Sequence, residues 1–422
     1  MHYLLIGYMF LFVHRPFEIW PALGEVHLER VYMLVTLLVW ALYPGKRWLP
    51  NRQHAAYLAF AAAVLACWLM SPWMNQGQLV VENYFKILVF YVLLVTTVHD
   101  ERKLRDVVLA FLVVMALYMA HSLREYVGGR HTFRMGIARL IGVDSSLGDP
   151  NSFGASILFA LPLVTVFWHR ASGWGRTLLA GYVGLSVLCI LLTGSRSSLV
   201  GLLVLGMLMT FRSRRAWAWA TAGLVACPLV FLALPPSLQT RFETIINPDA
   251  GPENARISGY GRIQGLLTGF RLWGKYPVAG VGPGAWRPAT HSPIESHNLY
   301  GQVLGEMGTL GAVTFGLVVL AFWHNLRQVR KARRYVPPGG DDFPFRLAGA
   351  VGVGVFLMLL EGNFGHNLFR FNWLWYGGFL IIAAHCARVR LARTAALVGH
   401  RAILYNHRRD LPRPSPLIGA LR

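Results

Sequence analysis

The chain has 422 residues, of which 55% are hydrophobic and only 14% charged, with a formal net charge of +21. A soluble domain carries roughly 25% charged residues, so the deficit argues against an ordinary water-soluble enzyme and points to a bilayer. The basic excess collects between apolar segments, as it does in membrane proteins, and this argues against nucleic acid as a partner.

In chain order, the apolar segments are residues 2–13, 28–43, 55–70, 83–98, 105–121, 151–168, 177–193, 197–211, 216–234, 297–323, 346–361 and 371–387. Their lengths suit a hydrocarbon core of ~30 Å at ~1.5 Å of helix rise per residue. Strand alternation is absent, which leaves helices as the way to satisfy every backbone polar group in lipid. The expected fold is an all-α polytopic membrane protein of about twelve transmembrane helices over residues 1–387, followed by a basic tail, 388–422. Residues 2–13 have no basic stretch before them and no small-residue cleavage site after them. They are expected to form a short first membrane helix rather than a signal peptide. Cys67, Cys189, Cys227 and Cys386 lie in apolar segments without metal-site spacing and read as small buried hydrophobes.

Charge sets the orientation. A cytoplasmic N-terminus places Lys46/Arg47/Arg52, Arg102/Lys103/Arg105, Arg170/Arg176, Arg212/Arg214/Arg215, the Arg327–Arg334 cluster and the tail all inside. Both termini are then cytoplasmic. One long excursion, 235–296, is expected on the outer face without helical structure.

This orientation leaves arginines outside that the charge rule does not explain: Arg124, Arg130, Arg134, Arg139, Arg196, Arg241, Arg256, Arg262, Arg271 and Arg287. They are either solvated surface groups or an anion site, because guanidinium forks match phosphate oxygens. Arg196 is the most informative, sitting in LLTGSRSSLVG between two short apolar runs. A tight turn there is recessed, and an arginine in it needs a polar cavity or a partner. The turn also opens the next helix, whose free N–H groups attract anions.

Glycine-rich GYGRIQGLLTGFRLWGKYPVAGVGPGAW (Gly259–Trp286) lacks dinucleotide-site spacing and reads as an interfacial amphipathic segment ending in a turn. In HSPIESHNLYGQVLGEMGTLG, Ser296 is expected to cap a long helix, with His297 in its first turn. The positive helix end there favours a neutral imidazole, able to accept a proton. His291, Glu295 and His297 do not make a convincing metal set, and no metal is expected. Further along, Glu361, His366 and Arg370 either extend the cavity or mark the polar end of a helix pair, with the second reading preferred.

GDPNSFGASILFALPL, the LLTGSRSSLVGLLV turn, and Arg262 followed by SHNLYGQVLGEMGTLG together resemble the O-antigen ligase and O-antigen polymerase superfamily, chiefly over residues 148–320. The resemblance implies a GT-C-like inner-membrane enzyme acting without metal or other cofactor. Its donor would be a glycan on undecaprenyl pyrophosphate, and its acceptor a lipid or glycan hydroxyl at the periplasmic face. It implies pyrophosphate binding by Arg196 and Arg262 and catalysis by His297, with Arg271, Arg287, Glu295 and His366 as secondary candidates. Ligase and polymerase remain alternatives. A transporter or flippase for a lipid-linked glycan is the reading from another class, weakened by the lack of repeat symmetry.

Overall fold

The structure is a computed structural model that describes residues 1–134, 136–144, 148–213, 215–247, 253–335 and 342–409, with Pro21, Arg134, Trp219, 253–259 and 393–409 described by backbone alone. Helices α1 (His2–His14), α2 (Pro16–Ile19), α3 (Pro21–Glu25), α4 (Leu28–Leu42), α5 (Gln53–Leu69), α6 (Met74–Thr97) and α7 (Glu101–Val127) come first. A two-stranded antiparallel hairpin follows, β1 (Thr132–Arg134) and β2 (Ile137–Arg139). Then come α8 (Pro150–Trp168), α9 (Gly173–Leu192), α10 (Arg196–Arg212), α11 (Ala216–Ala233), α12 (Pro236–Glu243) and α13 (Glu253–Lys275). The last are α14 (Trp286–Thr290), α15 (Leu299–Arg333), α16 (Phe343–Glu361) and α17 (Phe371–Arg409).

Each predicted apolar segment coincides with a helix. Among the described residues, seven helices have the length and hydropathy to cross a membrane: α6, α7, α8, α9, α11, α15 and α16. The chain is a mostly helical, multi-pass membrane protein. Of the predicted tail, 388–409 continue α17, and 410–422 lie outside the described residues. The 235–296 excursion corrects expectation, because it is largely helical and carries α12, α13 and α14. Cys227 is also a correction: it is exposed on α11, while the other three cysteines are buried.

Helix starts follow local chemistry. The Asp149 carboxylate accepts the Asn151 and Ser152 N–H groups at 3.1 and 3.0 Å, and Pro150 supplies the preset φ of the first helical position. Ser172 and Ser195 cap α9 and α10 in the same way. At the bundle centre, α8 and the first half of α17 are almost wholly buried. Trp375 stacks there among Phe12, Phe90, Phe111 and Phe371. The Tyr376 hydroxyl donates to the Phe159 carbonyl at 2.7 Å and Tyr57 to the Trp373 carbonyl at 2.6 Å, so polar tips find partners inside the apolar core.

Helix α15 breaks at Gly308, whose backbone is at φ 59°, ψ −153°. A break inside a bilayer frees carbonyls that need new donors. The glycine-rich turn before α14 supplies them: Val281 N–H donates to Gly305 O at 2.9 Å and Gly282 N–H to Glu306 O at 2.8 Å. In return, Thr309 and Leu310 N–H donate to the Pro277 and Val278 carbonyls. Gly280 and Gly308 both sit at positive φ with backbone directly against the missing Cβ. Buried Glu306 stitches the same junction, accepting from Gly284 N–H and Gln302 Nε2, each at 3.2 Å.

Glycines also explain how α13 docks. Gly265 and Gly269 lie directly against the backbone of Ser296 and Gly301 at the start of α15, and Gly301 lies reciprocally against Gly265. Small residues four apart let helices approach to backbone contact. A Cβ on Gly265 would overlap the Ser296 carbonyl, whereas one on Gly261 would meet nothing. Gly265→Val should therefore destabilise the protein by about 1–3 kcal/mol through overpacking, while Gly261→Ala is neutral. Thermal unfolding of the two variants in detergent checks this; equal midpoints would contradict the close contact.

Candidate active site

The site forms at the end of the bundle where α8 and α10 begin and α16 ends. Gly194, at φ 57°, reverses the chain between α9 and α10. Arg241 of α12 donates from Nε to the Gly194 carbonyl, which locks the turn from outside. Arg139 of β2, only 2% exposed, binds it from the other side, donating to Thr193 O at 2.6 Å and Asn151 Oδ1 at 2.8 Å. Arg196 is thereby held buried at the start of α10, its Nη1 donating to Thr244 Oγ1 at 3.0 Å.

Arg262 reaches the same place from α13. Its guanidinium lies 5.2 Å from the Phe364 ring centroid. Burial lowers its pKa, the neighbouring Arg196 lowers it further, and Glu361 opposes both. Two guanidiniums close enough to repel favour an anion between them. Glu361 is buried, accepts from the Ser197 hydroxyl and lies within electrostatic reach of Arg262 and Arg370. Its Oε1 has no hydrogen-bond partner among the described residues.

His297 corrects the expected helix start. Asn298, not Ser296, caps α15, accepting Gly301 N–H at 3.0 Å, while the Ser296 hydroxyl donates to Asn298 O at 2.8 Å. His297 stands one residue ahead of the cap, in the left-handed region at φ 46°. The helix-end argument for a neutral imidazole therefore loses its geometric basis. The strain is held by flanking contacts: Leu299 N–H donates to Gly362 O at 2.6 Å, and the Ser296 carbonyl abuts Gly265. The His297 ring faces His366, with centroids 5.4 Å apart.

Both histidines line a cavity of about 440 Å³ together with Asp149, Ser197, Glu361 and Arg370. A second cavity, about 1060 Å³, shares Ser152, His366 and Arg370 with the first and extends past Arg15, Glu295 and Glu306 to Phe12, Ile87 and Phe371. Arg370 is fixed by the Ser152 carbonyl at 3.1 Å and Ser156 Oγ at 3.0 Å; burial lowers its pKa, and Asp149 and Glu361 counter this. His366 and Arg370, preferred from sequence as the polar end of a helix pair, instead form the wall between two cavities.

Of the secondary candidates, Arg287 forms an ion pair with Glu295 at 2.7 Å. Burial raises the Glu295 pKa against the pull of Arg287. Arg271 lies elsewhere, lining a cleft of about 1080 Å³ with Lys275, His291 and Glu295 and not the cavity of His297. Asp149, Asn151, Ser197 and Phe364 were not predicted as site residues. The cap signature at Asp149–Pro150 is the sequence signal that marks the first two. The side chains of Arg134 and Arg256 lie outside the described residues.

Residues 181–316 match the domain model of the O-antigen ligase family. The domain runs from α9 into α15 and contains Arg196, Arg262, Glu295 and His297. Asp149, Glu361, His366 and Arg370, which complete the cavity, lie outside the matched stretch. No curated protein matches the chain.

His366 gives the cavity a pH signature. Its ring is exposed to the cavities that it lines, and desolvation by the surrounding site, followed by the charges of His297 and Arg370, lowers its pKa to about 4. The folded value lies below the unfolded one of about 6.5, so the unfolded chain takes up the proton first on acidification. The contribution of neutral His366 is complete above about pH 6.5 and is lost as pH falls towards 4. Unfolding temperature should therefore drop between pH 7 and 5 in the wild type and less steeply in His366→Gln; parallel profiles would contradict this.

Proposed function

We propose that this protein is a metal-independent membrane glycosyltransferase of the O-antigen ligase type. It moves a glycan from undecaprenyl pyrophosphate to an acceptor hydroxyl at the periplasmic face of the inner membrane. On this reading the bundle is GT-C-like, with about twelve spans and both termini cytoplasmic, as the distribution of Lys and Arg favours. What supports the reading is that Arg262 lies over Phe364 and Arg196 directly precedes Ser197, two residues that line the cavity of His297, within the stretch that matches the family model.

The chemistry follows from where charge grows. The acceptor oxygen attacks the anomeric carbon and His297 takes the hydroxyl proton as the new C–O bond forms. The bond from the anomeric carbon to the phosphate oxygen breaks, and its electron pair stays on the lipid pyrophosphate. Arg196 and Arg262 stabilise that charge in a partly dry site, where fixed donors act most strongly in the transition state. Guanidiniums thus take the place of a divalent ion. Glu361, with one carboxylate oxygen unengaged, is placed to accept a hydroxyl of the bound sugar. Two cavities meeting at His366 and Arg370 suit a reaction that brings two large substrates together.

An assay with a defined lipid-pyrophosphate glycan and candidate acceptors tests the reading and separates ligase from polymerase by the acceptor used. Arg196→Ala, Arg262→Ala and His297→Ala should each lower turnover by about 10²–10³-fold at normal protein level. Transfer by the variants at the wild-type rate would refute the assignment. Turnover should persist in EDTA; loss that a divalent ion restores would remove the metal-free mechanism.

A further inference from the structure

Helix α13 presents three faces. Gly265, Gly269 and Leu272 pack against α15. Ile263, Leu267 and Phe270 form an exposed apolar stripe. Gln264, Thr268, Arg271 and Lys275, at i, i+4, i+7 and i+11, share the third face. An apolar stripe beside a polar one is the pattern of a helix lying at a membrane–water interface. The polar face does not simply meet open solvent. All four of its residues line the cleft of about 1080 Å³ whose other wall is α14 and the residues after it, as far as Glu295.

Arg271 and Lys275 give this cleft its charge. Their side chains make no hydrogen bond or ion pair among the described residues. The acid that lines the cleft, Glu295, is held instead by Arg287 at 2.7 Å. Like charges four residues apart destabilise a helix slightly, and an anion bound between them removes that cost. His291 adds an imidazole to the same cleft.

The cleft also leads somewhere. Glu295 lines the cavity of about 1060 Å³ as well, and that cavity shares Ser152, His366 and Arg370 with the one that His297 lines. Three hollows thus run in sequence, with Arg271 and Lys275 at the outer end. Along α13, Arg271 stands nine residues from Arg262, about 14 Å at 1.5 Å per residue. That is too far for both to hold one pyrophosphate, yet within the reach of one oligosaccharide. The cations of the cleft therefore suit a second anionic group.

We propose that this cleft is the subsite for the acceptor saccharide, and that Arg271 and Lys275 grip a phosphate or carboxylate which that saccharide carries. The inference rests on the transfer reaction proposed above. Phosphate and carboxylate both match a guanidinium fork, and an ammonium beside it adds charge without fixing direction. Acceptor choice then depends on a charge remote from the attacking hydroxyl.

Three lipid-linked disaccharide acceptors test this with the detergent-purified full chain: one carrying a phosphate monoester, one a uronate, and one neutral. The wild type should show a lower KM for a charged acceptor than for the neutral one. Joint substitution Arg271→Gln and Lys275→Gln should raise that KM by about ten-fold, with kcat, the donor KM and the neutral acceptor unaffected. Arg124→Gln, at an exposed residue of α7 that lines none of the three hollows, should change nothing. An unchanged acceptor KM in the double variant would overturn the inference while leaving the transfer reading in place. A rise in the donor KM alone would also overturn it, giving the cleft to the donor glycan. Should the wild type transfer to none of the three, native mass spectrometry of the donor-free protein with the same probes decides the cleft separately from the reaction. Binding that ignores their charge, or that survives in the double variant, would then overturn it.

Discussion

The broken helix at Gly308 is the constraint on which the site depends. In lipid, an interrupted helix leaves carbonyls and N–H groups that water does not reach, and each costs several kcal/mol if unmet. Here the residues around Pro277–Gly284 fill the gap by exchanging backbone hydrogen bonds with Gly305–Leu310. The turn is thereby fastened to α15, and with it α14 at one end and α13 at the other. Glu306 secures the junction through the Gly284 N–H. Arg262 and His297 belong to segments that this junction holds together, although the chain brings them there from opposite directions.

Charge is distributed along the bundle with two different purposes. At one end, Arg139 and Arg196 are buried and Arg241 and Arg262 half-buried: Arg139 and Arg241 hold backbone carbonyls of the turn, Arg196 donates to Thr244 and Arg262 lies over Phe364. These are groups whose desolvation has been met before any substrate arrives, which is the condition for electrostatic catalysis. At the other end, Arg105 and Arg390 pair with Glu101, and Arg333 and Arg346 with Asp342. The distinction is one of preorganisation, since both ends are basic.

Much of this was legible in the sequence, because membrane segments are read from run length and the arginine turn from its neighbours. The helical positions and the buried Arg196 follow that reading, whereas Arg262 was named beside it only through the family resemblance. What local pattern did not convey was tertiary. The glycines of GYGRIQGLLTG read as part of an interfacial amphipathic segment, yet Gly265 and Gly269 serve as the contact surface of a helix, a role visible only with α15 beside it. The left-handed backbone of His297 likewise depends on Gly362 and Gly265, which are distant in the chain. Glu361, His366 and Arg370 looked like the polar end of a helix pair because nothing local brings Asp149 or Ser197 to meet them.

The Gly265–Ser296 contact bears on how sequence variants of this protein are to be interpreted. Neither group carries chemistry, and a methyl group added at 265 touches no substrate. It would nonetheless push apart the two backbones that carry Arg262 and His297, so under the proposed function a benign-looking substitution would read out as lost transfer with both side chains intact. Variation at such a position reports on spacing, and an alanine scan confined to charged residues would pass over it.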